Sequence, residues 1–344
     1  MTFNNFPSND HELDSLVSQP NDITIESLRH LDGDILILGA GGKMGISLAT
    51  LAQNTIDHLG NSTTVTCVSR FSDSTLVAHL ETHGIQVIQR DLLEHGALDS
   101  LPDAENILYL PGMKFGSTGN PGRTWAMNVH LAGLVATRFR NSRIVALSSG
   151  NVYPFAKTES NGCTELDVPA PVGEYAITCL GRERMFQWAA EEYGTKCAIV
   201  RLNYATDLRY GVLVDIATRV RSGAPIDLGQ SWFNTVWQGY ANSVLFGLFQ
   251  EIGDSPLMFN LTGPEKVSVV EAATQFGRIF GVEPNFVGTD SGEALLNDAT
   301  QCFELFGKPS IGVQELIGMT AHWIQSDGRL LNKPTHFEAT DGKF

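Results

Sequence analysis

The chain has 344 residues, 42% of them apolar and 18% charged, enough to bury a sizeable core. Its 23 Lys and Arg against 38 Asp and Glu leave a formal charge of −15, which argues against nucleic acid or anionic membrane as a partner, since no basic stripe exists to neutralise phosphates. Five scattered cysteines, Cys67, Cys163, Cys179, Cys197 and Cys302, have no paired ligand spacing, so no metal site is expected and a reducing compartment, the cytoplasm, is the expected location. Met1 to Asp14 are polar and acidic, unlike a signal peptide, and no run approaches the roughly 20 apolar residues of a membrane span.

Residues 1–33 read as a polar lead-in with short helices at Asp10–Val17 and Thr24–His30. From Asp34 strands and helices alternate. The predicted strands are Ile35–Leu38, Thr64–Val68, Gln86–Gln89, Ile107–Leu110, Ile144–Leu147 and Cys197–Leu202. The helices between them are Gly45–Leu59, Thr75–His83, Arg123–Phe139 and Tyr175–Tyr193. Apolar strands with a helix in every crossover predict an α/β fold, a doubly wound, mostly parallel sheet of Rossmann type over residues 34–202. Residues 203–330 are read as completing that domain and forming a smaller C-terminal lobe. Helices are expected there at Val212–Ser222, Gln238–Gln250, Ser268–Phe280, Ser291–Asn297, Ala299–Phe306 and Val313–Ile324, with a strand at Met258–Leu261. The tail, residues 331–344, reads as loose.

The first strand runs into Gly39-Ala40-Gly41-Gly42-Lys43-Met44-Gly45 and then directly into a helix. Glycines 39, 42 and 45 offer a tight turn, bare backbone beside a ligand, and a close helix-to-strand contact, and Gly41 supplies the middle glycine of the related G-x-G-x-x-G pattern. The helix begins where unpaired N–H groups and a positive dipole end meet a pyrophosphate, with Lys43 and Met44 in that turn. This is the signature of a dinucleotide cofactor, NAD or NADP. The second strand ends in Ser69-Arg70, where an NAD-binding sheet usually carries a carboxylate for the ribose hydroxyls, so NADP is slightly favoured by the Arg70 guanidinium. Asp91 is a candidate acceptor for the adenine amino group or a turn cap, with Leu92 against the ring. Pro111-Gly112-Met113-Lys114 follows the fourth strand, where Gly112 permits close approach and Lys114 can meet a phosphate or a substrate oxygen. Asn128 is polar within an apolar helix, which points to a buried hydrogen bond with either a structural role or a place in a catalytic relay.

The fifth strand ends in Ser148-Ser149-Gly150-Asn151-Val152-Tyr153, delivering hydroxyls to the ligand crevice. Tyr175, at the start of a helix 26 residues after Ser149, can bring its hydroxyl beside them. A Ser and Tyr so placed over a nicotinamide suit proton transfer at a carbinol oxygen during hydride transfer. Past the sixth strand, Asn203 and Arg209 are candidate substrate contacts, as is Asn151.

Together these residues resemble the extended short-chain dehydrogenase/reductase family, of the NAD-dependent epimerase/dehydratase type, over about residues 33 to 325. The resemblance rests on the glycine turn, Asp91-Leu92, Ser148 to Tyr153, the Tyr175 helix with Glu183, Arg201-Leu202-Asn203, and a terminal helix with Trp323. It implies a cofactor at the glycine turn, Tyr175 as acid/base with Ser149 as partner, a substrate pocket between the lobes, and dimers formed through the helices at Arg123–Phe139 and Tyr175–Tyr193. One departure stands out. The family's Y-x-x-x-K reads Tyr175-Ala176-Ile177-Thr178-Cys179, so the lysine that binds the ribose and lowers the tyrosine's pKa is absent. Lys114, Arg182 and Arg209 are the candidate substitutes. The expected function is an NAD(P)-dependent oxidoreductase or epimerase acting on a carbohydrate-like secondary alcohol or ketone (a sugar, sugar acid or nucleotide-sugar). The alternative is a non-catalytic NAD(P)-binding regulatory or structural protein.

Overall fold

The computed structural model describes residues 6–343; the first five residues of the polar lead-in and Phe344 lie outside them. Helices α1 (Asp10–Val17) and α2 (Asp22–Arg29) precede strand β1 (Ile35–Leu38). Asn9 and Asn21 cap them by accepting from the Glu12 and Thr24 amides. Leu13, Val17 and Leu28 are buried in the main core, so the lead-in packs against the body of the molecule. Then follow α3 (Gly45–Leu59), β2 (Val65–Ser69), α4 (Ser74–Thr82), β3 (Gln86–Gln89) and β4 (Asn106–Tyr109). The expected helix over 123–139 is three pieces, α5 (Pro121–Trp125), a π turn (Ala126–His130) and α6 (Leu131–Arg138). After β5 (Arg143–Leu147) come β6 (Ala156–Lys157), α7 (Gly173–Tyr193) and β7 (Lys196–Leu202).

These strands, with β12 introduced below, form one parallel sheet in the order β12-β7-β5-β4-β1-β2-β3. The strand order reverses between β1 and β4, which opens a crevice at their carboxyl ends. β1 and β4 are fully buried, as strands covered by helices on both faces must be.

The remaining third adds β8 (Ala205–Thr206), α8 (Val212–Ser222), β9 (Pro225–Asp227), β10 (Trp232–Phe233), β11 (Val236–Trp237), α9 (Gln238–Glu251) and β12 (Leu257–Leu261). It ends with β13 (Val267–Ser268), α10 (Val269–Phe280), β14 (Asn285–Val287), β15 (Glu293–Ala294), α11 (Thr300–Phe306) and α12 (Val313–Gln325). Two expectations are corrected here. Ser291–Asn297 is not a helix. Gly292 sits at φ +75°, the Ser291 hydroxyl donates to the Glu293 carbonyl, and the chain then pairs antiparallel with β6. The tail is not loose either. Thr335 and Phe337 are buried, and the segment is tied down over most of its length. Among the described residues, no helix is long and apolar enough to cross a membrane.

Candidate active site

The glycine turn is built for close approach. Gly39 has φ +79°, and a Cβ there would stand 2.8 Å from the Pro111 nitrogen. A Cβ on Gly45 would overlap the Ala40 carbonyl. Gly42 faces only the Gly39 carbonyl, at 3.4 Å, and Gly41 abuts the Ser69 hydroxyl. Met44, the residue capping α3, offers no side-chain bond, so the first amides of the helix depend on another acceptor.

Lys43 points its ammonium over the Tyr210 ring, 3.1 Å from the centroid, and lies 4.4 Å from that of Phe115. The Nζ is buried and has no hydrogen-bond partner. Burial, reinforced by Lys114 and Lys333, brings its pKa down to about 7. An orphaned ammonium beside bare backbone amides fits a pyrophosphate, so the residues present accommodate the phosphate half of a dinucleotide. Arg70 is exposed at the end of β2. Asp91 accepts from the Leu93 amide and lies 4.0 Å from Arg123, so it caps its own turn; Leu92 is buried beside it.

On the other side of the crevice, Asn128 fastens the loop after β4 to α7. It accepts from the Met113 amide at 2.7 Å and from Arg182 at 3.0 Å, and donates to Thr178 at 2.8 Å and to the Met113 carbonyl. The π turn carries it inward. Every polar position of its side chain is taken, by Arg182, Thr178 and the Met113 backbone. Arg182, fully buried, also donates to the Leu147 carbonyl at 2.7 Å, and a Cβ on Gly112 would lie 2.9 Å from its Nη2.

The Ser149 hydroxyl is near enough to act on that of Tyr175, so strand β5 and helix α7 do bring them together. Burial pushes the Tyr175 hydroxyl well above the ordinary tyrosine value, the neighbouring Cys179 adds to this, and Arg182 opposes it. Ser149 also donates to Asn151. Lys114 Nζ lies 5.8 Å from the Tyr175 ring centroid, and burial lowers its pKa to about 8. Cys179 is fully buried, its thiol pushed up by burial, so it is not a thiolate nucleophile.

Two expected substrate contacts are engaged elsewhere. Asn203 donates to Asn234 and to the Leu295 carbonyl, joining the sheet to the lobe. Arg209 is held by Asp207, Asp14 and Asp10, a clamp on α1, so it neither meets substrate nor replaces the missing lysine. Behind the site, Arg201 pairs with Glu183 at 2.8 Å in the core, Ser148 donates to the same carboxylate, and Tyr153 bridges Arg201 to Asn260. This network was visible in the sequence only as scattered motif letters.

The tail and the lobe bring further residues to the site: Asp215, Arg219, Gln230 and Thr335. Phe337, a bulky apolar residue in a polar tail, was the one signal in the sequence that could have shown it. Tyr204, at φ +49°, is a strained non-glycine residue packed against the core.

A parallel sheet with a glycine-rich turn at its switch point and a Ser–Tyr pair beside it defines a nicotinamide-dependent enzyme of Rossmann type. The model of the NAD dependent epimerase/dehydratase family matches residues 35–206, and the chain belongs to that family. No curated protein matches it. Among solved structures it is similar to UDP-glucose 4-epimerase from Thermotoga maritima with UDP-glucose, at 19% identity and TM-score 0.68 over 86% of this chain and 99% of that one. MoeE5 in complex with UDP-glucose and NAD shares 19% identity over the same portions, with TM-score 0.69. UDP-glucuronic acid 4-epimerase from Bacillus cereus, with UDP-glucuronic acid and NAD, shares 16% over 85% and 99%, with TM-score 0.67. These likenesses are of fold.

Proposed function

We propose that the protein is an NAD(P)-dependent epimerase acting on a secondary alcohol of a sugar carried by a nucleoside diphosphate. The observation that carries this is the Ser149–Tyr175 pair standing at the end of β5, across the crevice from the glycine turn. The similar structures were solved with UDP-sugars, two of them also with NAD, which supports the substrate class. Gly39, Gly42, Lys43, Met44 and Gly45 would hold the phosphates, Ser69, Arg70, Asp91 and Leu92 the adenosine end, and Pro111, Gly112, Lys114 and Tyr175 the nicotinamide end. The cofactor, when bound, accepts a hydride from the sugar carbon and returns it. Arg70, with no carboxylate beside it in the sequence, favours NADP slightly.

The protein's own part is to manage one proton. Tyr175 would take the proton of the substrate hydroxyl as the hydride leaves its carbon and give it back to that oxygen when the hydride returns, with Ser149 as its hydroxyl partner. Arg182, whose charge acts on the Tyr175 hydroxyl, and Lys114, 5.8 Å from the ring centre, take over the charge that the motif lysine supplies elsewhere in the family. Asn151 lines the sugar end.

Trp125, Leu134, Ile177 and Trp188 are exposed apolar residues on α5, α6 and α7, which supports a homodimer through those helices. The acidic charge and five buried free cysteines support a cytoplasmic location. The division into a nucleotide-binding portion (34–202) and a region ending in a substrate lobe (203–330) is likewise proposed.

A second reading, a non-catalytic NAD(P)-binding protein, is favoured by Cys179 alone, because a buried neutral thiol does nothing for a tyrosinate. Incubation with NAD and UDP-glucose or UDP-glucuronic acid, with the sugar products separated, tests the choice. Turnover that falls by about 10²–10⁴-fold in Tyr175→Phe supports the enzyme. Cofactor binding without turnover supports the second reading.

A further inference from the structure

Residues 331–343 lie partly exposed but sink Thr335, Phe337 and Gly342 into the cleft in which the sugar substrate would lie. The Leu331 amide donates to the Arg209 carbonyl. Thr335 then donates through its amide and its hydroxyl to Asp215 on α8, at 2.7 and 2.6 Å. Lys114 donates to the Thr335 carbonyl at 3.2 Å, so the tail holds the cation that faces Tyr175. Phe337 is buried against Phe233 and under the Arg219 guanidinium. Glu338 pairs with that same Arg219, and Gln230 donates to the Ala339 carbonyl at 2.8 Å. The segment finishes at the start of α7, where Gly342 and Gly173 have φ +69° and +82°, and a Cβ on either would stand 2.8 Å from the other's Cα. Two residues further along is Tyr175. Beside the tail, the cavity lined by Asn151, Tyr153 and Leu295 measures about 10 Å³, room for roughly one water and not for a sugar.

Asp215 and the Arg209 carbonyl accept from the tail, while three other groups that hold it are donors: an ammonium, a guanidinium and an amide. The tail answers them with a carboxylate, two peptide carbonyls and a buried aromatic ring. A nucleoside diphosphate sugar offers the same set, with phosphate for carboxylate and a base for the ring.

We propose that residues 331–343 are an intramolecular competitor of the nucleotide-sugar, seated on Lys114, Arg219 and Gln230, which must leave before substrate enters. The tail also adjoins the dinucleotide site, since Lys333 acts on the Lys43 ammonium and Thr335 holds Lys114. This rests on the proposed function.

The test compares the full chain with a Thr335→Ala/Phe337→Ala double variant in calorimetric titrations with NADH and, separately, with UDP-glucose. Melting curves establish that both are folded. A tail that occupies the site most of the time weakens apparent affinity by the fraction of open molecules, so UDP-glucose should bind the variant at least about tenfold more tightly. NADH affinity should change by much less than UDP-glucose affinity, since of its proposed contacts only Lys43 and Lys114 adjoin the tail. A second measurement uses the unaltered chain: amides 332–340 should lose protection from hydrogen exchange when UDP-glucose is added. UDP-glucose binding that is equal, weaker in the variant, or absent from both overturns the proposal. So does protection that persists at saturation. Absence of NADH binding from both chains removes the proposed function instead.

Discussion

Lys114 Nζ stands 5.8 Å from the centre of the Tyr175 ring, while Cys179, one turn along α7 from Tyr175, carries no charge. The cation therefore comes from the loop after β4 instead of from α7 itself. Replacing it by Lys114→Met should raise the Tyr175 pKa further and move the acid limb of the kcat–pH profile to higher pH, by about one unit. Cys179→Lys should move it the other way. A profile that both variants leave in place would remove Lys114 from the mechanism.

Lys43 sets a pH dependence of stability. Its folded pKa is about 7 against an ordinary 10.5. Between those values the unfolded chain holds a proton that the folded chain lacks, so this residue makes stability rise with pH from 7 to 10.5. Below pH 7 the cost of burying its charge is fully present. Thermal melts of the wild type should climb relative to Lys43→Met across pH 7 to 9 and run parallel below 7. A bound pyrophosphate pairs with the ammonium, so NADH affinity should fall as pH rises through that window, and Lys43→Met should flatten the fall.

Arg70 is exposed at the end of β2, and the adenosine 2′ position is expected beside it. Arg70→Ala should weaken NADPH binding by about tenfold, the loss of one charge-assisted contact, and leave NADH nearly unchanged. Equal losses for both coenzymes would place Arg70 elsewhere on the nucleotide.

The Glu183–Arg201 pair is enclosed in the core, with Ser148 and Tyr153 completing its hydrogen bonds. Arg201→Met leaves a buried carboxylate without its counter-charge and should cost about 3–5 kcal/mol in denaturant unfolding. A smaller loss would mean that Glu183 takes up a proton in the variant.

Most of this fold was legible because its signals are local. Gln86–Gln89, Gly45–Leu59 and Val212–Ser222 fall on their predicted bounds, since a β-branched run or an apolar stripe needs no distant information. The parallel, doubly wound character of the sheet followed from its helical crossovers. What failed depended on partners far away in sequence. Ser291–Asn297 has helix-compatible letters, yet Gln230 and β6 take up its backbone groups. Arg209 read as a free cation because the carboxylates of Asp10 and Asp14 lie nearly 200 residues earlier. The tail read as loose because its anchors, Asp215 and Arg219 on α8 and Lys114 in the loop after β4, lie far from it in sequence. At the site, the glycine turn and the Ser–Tyr pair were readable as motifs, while the replacement of the motif lysine required three-dimensional proximity.

Everything proposed for this chain depends on a pyridine dinucleotide seated at the Gly39–Gly45 turn. Calorimetric titration of the purified chain with NADH and NADPH tests this most directly. One saturable site per chain, lost or greatly weakened in Lys43→Glu, is the predicted result. No heat of binding from either coenzyme, in a chain shown to be folded, would contradict it.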